Sequence, residues 1–176
     1  MVKIFCLEFD SELKKEVFDF LLSVCSEDKK NQILNKRIKK DRERSVLGNA
    51  LAKYAIKNVF SVPVRNQTFC YSENGKPYLS EYQNIYFSIS HSGNLIVCAV
   101  SDNPVGIDVQ EKRKYNKMLG AMLNARDSEE FFSVWTKTEA VIKKMGSRIS
   151  KENLKKTDIS KAKAFKYKNY FIGISE

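Results

Sequence analysis

The sequence predicts an α+β protein with small sheets, and three observations carry that prediction. Apolar residues follow helical spacing through most of residues 11–60, short alternating runs bounded by turn residues fill residues 68–109, and a further helix precedes a terminal hairpin. With 176 residues, 43% of them hydrophobic, the chain is long enough to bury a core as one domain or two small packed halves.

Residues 2–9 alternate like a strand, and after Asp10 or Ser11 as N-cap, Leu13, Val17, Phe20, Leu21 and Val24 mark a first helix ending near Cys25. Ser26 caps a second, with Glu27 and Asp28 where negative charge suits the helix dipole and Lys36, Arg37, Lys39 and Lys40 in its later turns. A third spans about 41–60, with Val46, Leu47, Ala50, Leu51, Tyr54, Ala55 and Val59 on one face, and Pro63 ends it. Strands follow at 69–71, 85–90 and 95–100, broken by Glu-Asn-Gly-Lys-Pro and His-Ser-Gly-Asn turns. After Asn103-Pro104 comes a strand at 105–109, then a basic, weakly patterned stretch to Arg126, and a boundary between halves fits there. Ser128 caps a fourth long helix, whose buried stripe is Phe131, Trp135, Ile142 and Met145 and whose end is Gly146. Residues 164–175 read as a hairpin around Lys168-Asn169, and no internal repeat or low-complexity segment is evident.

The formal charge of +10, from 31 basic and 21 acidic residues, points to anionic partners: nucleic acid, acidic proteins or phosphorylated small molecules. Charge alone does not choose among them, and a lysine-rich composition needs no polyanion to explain it. The four cysteines have no C-x-x-C spacing and no histidine cluster beside them, which argues against a zinc site or disulfide framework and for a reducing compartment. The first ten residues lack the pattern of a signal peptide, and the most apolar run, 95–100, is far shorter than the roughly 20 residues that cross a bilayer. A soluble, cytoplasmic protein is expected.

Asp108 stands between Ile107 and Val109 near a strand end, so its side chain points opposite to theirs. Alone, it reads more simply as an acid capping a turn. Trp135, Glu139 and Lys143 are spaced four apart and form one helical stripe; an ordinary Glu-Lys pair is the plain reading. Together, Asp108 and Glu139 are the carboxylates that Mg²⁺ takes when phosphate oxygens and water complete its octahedron. His91, the only histidine, lies in a predicted turn, Ser90-His91-Ser92-Gly93, rich in groups that suit phosphate, although a lone histidine is more often a structural hydrogen-bonder. A Ser-His hydrolase is a poor reading, because neighbours on a strand face opposite ways and no G-x-S-x-G elbow is present.

Taken in order, these pieces resemble the Sfp-type 4′-phosphopantetheinyl transferases across most of the chain. Lys29 in Ser-Glu-Asp-Lys-Lys resembles an early lysine of that family, and Asp41-Arg-Glu-Arg44-Ser45-Val-Leu-Gly48 resembles its D-x-x-R-[ST]-L-x-G helix. Asn74-Gly75-Lys76-Pro77-Tyr78, then 87–93 with Ser90 and His91, then Gly106-Ile107-Asp108-Val109, then Trp135 to Lys143 match its remaining motifs. The resemblance implies two similar α/β halves with pseudo-twofold symmetry, 1–103 binding CoA phosphates and 104–176 binding Mg²⁺, with CoA and metal in the cleft between them. It implies that Lys29, Arg44, Ser45, Lys76, Pro77, Ser90 and His91 contact CoA, and that Lys143 touches the pyrophosphate or assists proton transfer. Asp108 and Glu139 would bind Mg²⁺, with Glu139 as general base.

The implied reaction is attack by a serine of an acidic acyl or peptidyl carrier protein on the CoA β-phosphate, expelling 3′,5′-ADP, catalysed by a monomer without nucleic-acid or membrane partners. This chain departs from the pattern at Gln110, where the family has a second acid and where only a neutral oxygen can reach the metal. Thr138 and Gln32 stand in place of lysines, and the stretch from Gln110 to Trp135 is short. A CoA-binding homologue with little activity is therefore one competing reading. A basic nucleic-acid-binding module is another, and it leaves the ordered motifs unexplained.

Overall fold

The computed structural model describes the backbone of residues 1–176 and the side chains of all but Lys155. Eight strands and six helices follow one another as β1 (Lys3–Glu8), α1 (Lys15–Ser23), α2 (Glu27–Leu34), α3 (Lys39–Phe60), β2 (Phe69–Tyr71), β3 (Pro77–Leu79), β4 (Tyr86–Ser92) and β5 (Leu95–Ser101), then β6 (Gly106–Glu111), α4 (Lys117–Met122), α5 (Ser128–Met145), α6 (Lys151–Lys156), β7 (Lys163–Tyr167) and β8 (Tyr170–Ser175). The expected α+β class holds: the strands form two three-stranded antiparallel sheets, β1-β5-β4 and β6-β8-β7, and a small β2-β3 hairpin. Both larger sheets share one order, in which the first strand pairs with the last and the last with the middle one. No helix among the described residues is long and apolar enough to cross a membrane.

Among the described residues, β5 is the only strand that is buried throughout, and its continuous apolar sequence is what two covered faces require. Cys98 and Val100 pack with Ala52 and Ile56 of α3 and with Phe69, Leu79 and Phe87, where the Phe69 and Phe87 rings lie 4.6 Å apart. Leu95, Val97 and Ala99 point the other way, into a second core with Ile107, Val109 and Ile172 of the neighbouring sheet. The period-two alternation of β5 thus joins the two sheets through one apolar layer.

Tertiary contacts move several boundaries. Asp10 and Ser11 do not cap α1, because the chain stays extended beyond β1: Phe9 N–H is bonded to Asn94 O at 2.8 Å and Leu13 N–H to Glu43 Oε1 at 3.3 Å. The second helix stops at Leu34, so Lys39 and Lys40 open α3 instead of closing α2. Their charge at a helix N-terminus is offset by bonds from Lys39 to Glu12 (2.5 Å) and from Lys40 to Asn94 (2.6 Å), with Asp41 in the same turn. Asp127, not Ser128, caps α5 through Glu130 N–H at 2.9 Å. The short helices α4 and α6, capped by Asn116 and Ser150, lie in segments whose sequence carries too few turns to show a period.

Candidate active site

β6 and α5 build the acidic part of the site. Asp108 falls in the middle of β6, opposite Gly173 of β8, rather than at a strand end as predicted. A Cβ on Gly106 would sit 1.9 Å from Ala140 O, and one on Gly173 would sit 2.2 Å from Thr136 O. Only glycine lets the helix rest on the sheet backbone here, and this contact brings the Glu139 turn of α5 over Asp108. Both carboxylates are buried, Asp108 at 1% and Glu139 at 7% exposure.

Lys143, one turn beyond Glu139, donates to Asp108 Oδ1 at 2.5 Å and to Ser90 Oγ at 2.9 Å, with Glu139 Oε2 3.9 Å away. Burial, and then the Asp108 charge, push Glu139 up to about 8, although the Lys143 ammonium and a bond to Trp135 pull the other way. Two acids share one small volume with a single ammonium beside them, and a further cation there would relieve their repulsion.

The cationic part is a cleft of about 430 Å³ beside this cluster. Of the residues expected to contact CoA, the structure brings Lys29, Arg44, Ser45, Lys76, Pro77, His91 and Lys143 into its walls. Arg44 lies 3.4 Å from Asp41, and its buried Nε has no partner among the described residues. Burial lowers the Lys29 pKa, helped by Lys36, and His91, exposed at the cleft mouth, is lowered by its partial loss of hydration and by the nearby Arg44, Lys143 and Lys36. An anion in the cleft would satisfy Arg44 and oppose these shifts.

One predicted placement is corrected, and two gain partners the sequence did not show. His91 belongs to β4 rather than a turn, which carries its ring to the cleft while Ser90 faces β6. Ser90, like Asp108, Gln110 and Glu139, lies behind the cleft wall rather than in it, and its hydroxyl is bonded to Asp108 at 2.8 Å. Lys76 reaches across to α5, where its ammonium binds Lys144 O at 2.5 Å and Asn74 Nδ2 binds Gly146 O at 2.9 Å.

Sequence reasoning missed Asn49, Tyr71, Ser88 and Arg148 in the cleft wall. Asn49 repeats the four-residue step of Asp41 and Ser45 along α3 and was legible from that period; Tyr71 and Arg148 reach the cleft only through folding.

No set of three or more His, Cys, Asp or Glu side chains able to hold a metal occurs among the described residues. The donors that do meet are the carboxylates of Asp108 and Glu139 and the carboxamide of Gln110, whose Nε2 donates to Asp108 Oδ2 at 3.3 Å. A half-turn of that amide would present its oxygen instead. Hard oxygens, two of them charged, fit Mg²⁺, which needs few protein ligands when a phosphate completes its shell.

Comparison with known proteins gives the family. The family described as 4′-phosphopantetheinyl transferase, N-terminal, matches residues 12–103. The 4′-phosphopantetheinyl transferase gsp of Aneurinibacillus migulanus is 31% identical over 159 residues, covering 83% of this chain and 66% of its own length. The 4′-phosphopantetheinyl transferase Sfp of Bacillus subtilis is 28% identical over 162 residues, covering 85% of this chain and 72% of its own. The matched region therefore spans about two thirds to three quarters of those relatives. With a family match over more than half of its residues and these relatives along most of its length, the chain belongs to the 4′-phosphopantetheinyl transferase family.

Proposed function

We propose that this chain transfers the 4′-phosphopantetheine arm of coenzyme A to a serine of an apo acyl or peptidyl carrier protein, releasing 3′,5′-ADP. The observation that carries the reading is the buried Asp108–Glu139 pair, joined through Lys143 to a cleft that Lys143 lines together with the cations Lys29, Arg44 and Lys76. Arg44, Lys29, Ser45 and His91 bind the CoA phosphates, and Lys76 and Pro77 form the wall between that cleft and the end of α5. In the reaction the serine Oγ bonds to the β-phosphorus, the bond from that phosphorus to the bridging oxygen breaks, and 3′,5′-ADP leaves with the electron pair. Lys143 faces the developing charge, and Glu139 accepts the serine proton, its burial making it a stronger base than a solvated carboxylate. Asp108, Glu139 and Gln110 would hold Mg²⁺, which supplies electrostatic stabilisation of the pyrophosphate charge.

We read residues 1–103 and 104–176 as two halves related by a pseudo-twofold axis, working as a cytoplasmic monomer. The shared strand order supports the symmetry, and so does a pair of matching contacts. Ser92, last in β4, accepts from Glu111 N–H at the end of β6, while Tyr167, last in β7, donates to Glu8 at the end of β1. Glu8 and Glu111 face Leu95 and Tyr170, the first residues of β5 and β8.

The test is to incubate the protein with CoA, Mg²⁺ and apo forms of a fatty-acid carrier and a peptidyl carrier, and to read intact carrier mass. A phosphopantetheine gain that needs Mg²⁺ and is lost in Glu139→Gln supports the reading. No gain on either carrier, together with no CoA binding by calorimetry, sinks it. Binding without transfer would mark a CoA-binding homologue of little activity.

A further inference from the structure

Of the four buried side-chain atoms that lack a hydrogen-bond partner among the described residues, three belong to the wall of one cavity of about 290 Å³: Ser26 Oγ, Asn49 Oδ1 and Gln67 Oε1. The cavity lies between the start of α2, the middle of α3 and the chain entering β2. Asn49 and Gln67 are 3% and 2% exposed, and Lys53 in the same wall is 6% exposed. The Gln67 amide has no reason to turn over, because its Nε2 gives both hydrogens to carbonyls, Lys53 O at 3.0 Å and Val62 O at 2.9 Å. Its Oε1 therefore stays an unfilled acceptor. The Lys53 ammonium sits over the Phe69 ring and donates to Gln67 O at 2.5 Å, which leaves it hydrogens to spare. Burial holds its pKa below the ordinary value with no carboxylate pulling it back up, and among the described residues no acid lines the cavity, whereas Arg65 stands exposed in its wall. Ser26 is the N-cap residue of α2, yet its hydroxyl caps nothing. A buried ammonium without a counter-charge costs free energy that an anion recovers, and unfilled buried acceptors cost it until a donor meets them.

We propose that this cavity binds a protonated phosphate group, and that free inorganic phosphate fits it better than a monoester. The dihydrogen ion carries two O–H groups and two bare oxygens on one tetrahedron. The O–H groups give to Asn49 Oδ1 and Gln67 Oε1, and the bare oxygens take Lys53 Nζ and the Ser26 hydroxyl. A fully deprotonated oxyanion of the same size meets the two acceptors with no proton between them, so the amides select the proton and the lysine selects the charge. A phosphate monoester keeps a single O–H and fills one acceptor of the two. Asn49 also lines the CoA cleft, so the two cavities share one side chain of α3. The phosphate site does not depend on the chain being a transferase.

The experiment titrates the full chain by calorimetry with inorganic phosphate, sulfate and phosphoserine in a buffer free of other oxyanions, and repeats the titrations with Lys53→Met, Ser26→Ala and Arg44→Ala. Thermal midpoints with and without phosphate give a second readout. Inorganic phosphate is expected to bind at least about tenfold more tightly than sulfate, and more tightly than phosphoserine. Lys53→Met is expected to lose about 10–100-fold in phosphate affinity together with the rise in midpoint that phosphate causes. Ser26→Ala, which removes one neutral partner, is expected to lose about 3–10-fold. Arg44→Ala strips the CoA cleft of its buried guanidinium and is expected to leave phosphate binding in place within about twofold.

Equal affinity for phosphate and sulfate overturns the proposal, since charge alone is then being read. Phosphoserine binding as tightly as inorganic phosphate overturns the match of two O–H groups to two acceptors. Phosphate binding lost in Arg44→Ala but kept in Lys53→Met places the ion in the CoA cleft and overturns the site. No heat and no midpoint change with millimolar phosphate also overturn it, leaving the three unpartnered atoms to ordered water. If Lys53→Met does not fold, Ser26→Ala carries the test, and unchanged phosphate affinity in it overturns the site. A chain that modifies no carrier and binds no CoA leaves each of these outcomes as it stands, so failure of the transferase reading and failure of the phosphate site are told apart.

Discussion

Gly106 and Ala140 touch backbone to backbone: a Cβ on the glycine would lie 1.9 Å from the Ala140 carbonyl oxygen and 2.5 Å from Lys144 N. Gly173 makes the same approach to Thr136 and Lys137 one strand over, so α5 rests on glycine on both sides of Asp108.

A side chain at either glycine has only backbone to displace. Gly173→Ala is therefore expected to cost at least about 1–3 kcal/mol, the range of overpacked cores, and to move Glu139 off Asp108. Denaturant midpoints at constant m-value check the first effect. CoA affinity, set in the cleft by residues of α3 and β4, should fall less than kcat.

Glu139 gives a pH dependence of stability in the metal-free protein. Its folded pKa is raised to about 8 from the ordinary 4.5 of a solvated glutamate, so the folded state holds a proton that the unfolded state has lost between those values. The stability from this proton is complete below pH 4.5 and declines as pH rises toward 8. Glu139→Gln removes the decline, so its thermal midpoint should exceed that of the wild type most clearly near pH 8–9 and least near pH 4–5. Equal pH profiles for the two proteins would contradict the burial of this acid beside Asp108.

The turn at Asn74 and Lys76 is tied to the C-terminus of α5, where unpaired carbonyls concentrate negative charge. Lys76→Met keeps the stem that packs on Gly146 and removes the ammonium. It should destabilise by about 1–3 kcal/mol, as for a lost charge-assisted bond, measured by chemical denaturation. Asn74→Ala should cost about 1 kcal/mol at the same helix end. CoA affinity that falls with Lys76→Met while stability is unchanged would give Lys76 to the ligand instead.

Arg44 carries a buried Nε with no partner among the described residues. An anion that satisfies it gains a charge-assisted bond worth about 1.5–3 kcal/mol, so Arg44→Ala should weaken CoA binding about 10–100-fold. Arg44→Lys should recover only part of this, because an ammonium cannot reproduce the guanidinium fork. Calorimetry with CoA measures both.

Much of the fold was legible because its period is local. Part of the α3 face, with Val46 and Ala55 buried although Tyr54 is exposed and Ala52 and Ile56 take its place, the continuous apolar run of β5 and the terminal hairpin follow from spacing that a few residues establish. The helix starts were less legible where a tertiary bond replaced a cap, as when Glu43 holds Leu13 N–H and delays α1 to Lys15.

For the site, the sequence by itself determined the chemical inventory and its order along the chain: Arg44, His91, Asp108, Glu139 and Lys143, with alternation putting Ser90 and His91 on opposite faces. Only the tertiary structure decided which of these touch. Ser90 is 18 residues from Asp108, and Lys143 is 35 residues from it, yet the three share hydrogen bonds. The physical reason is that a local period fixes where a side chain points along its own element, whereas the distance between elements is set by what separates their backbones. Here that is a serine hydroxyl between β4 and β6, and the hydrogen atom of a glycine between β6 and α5.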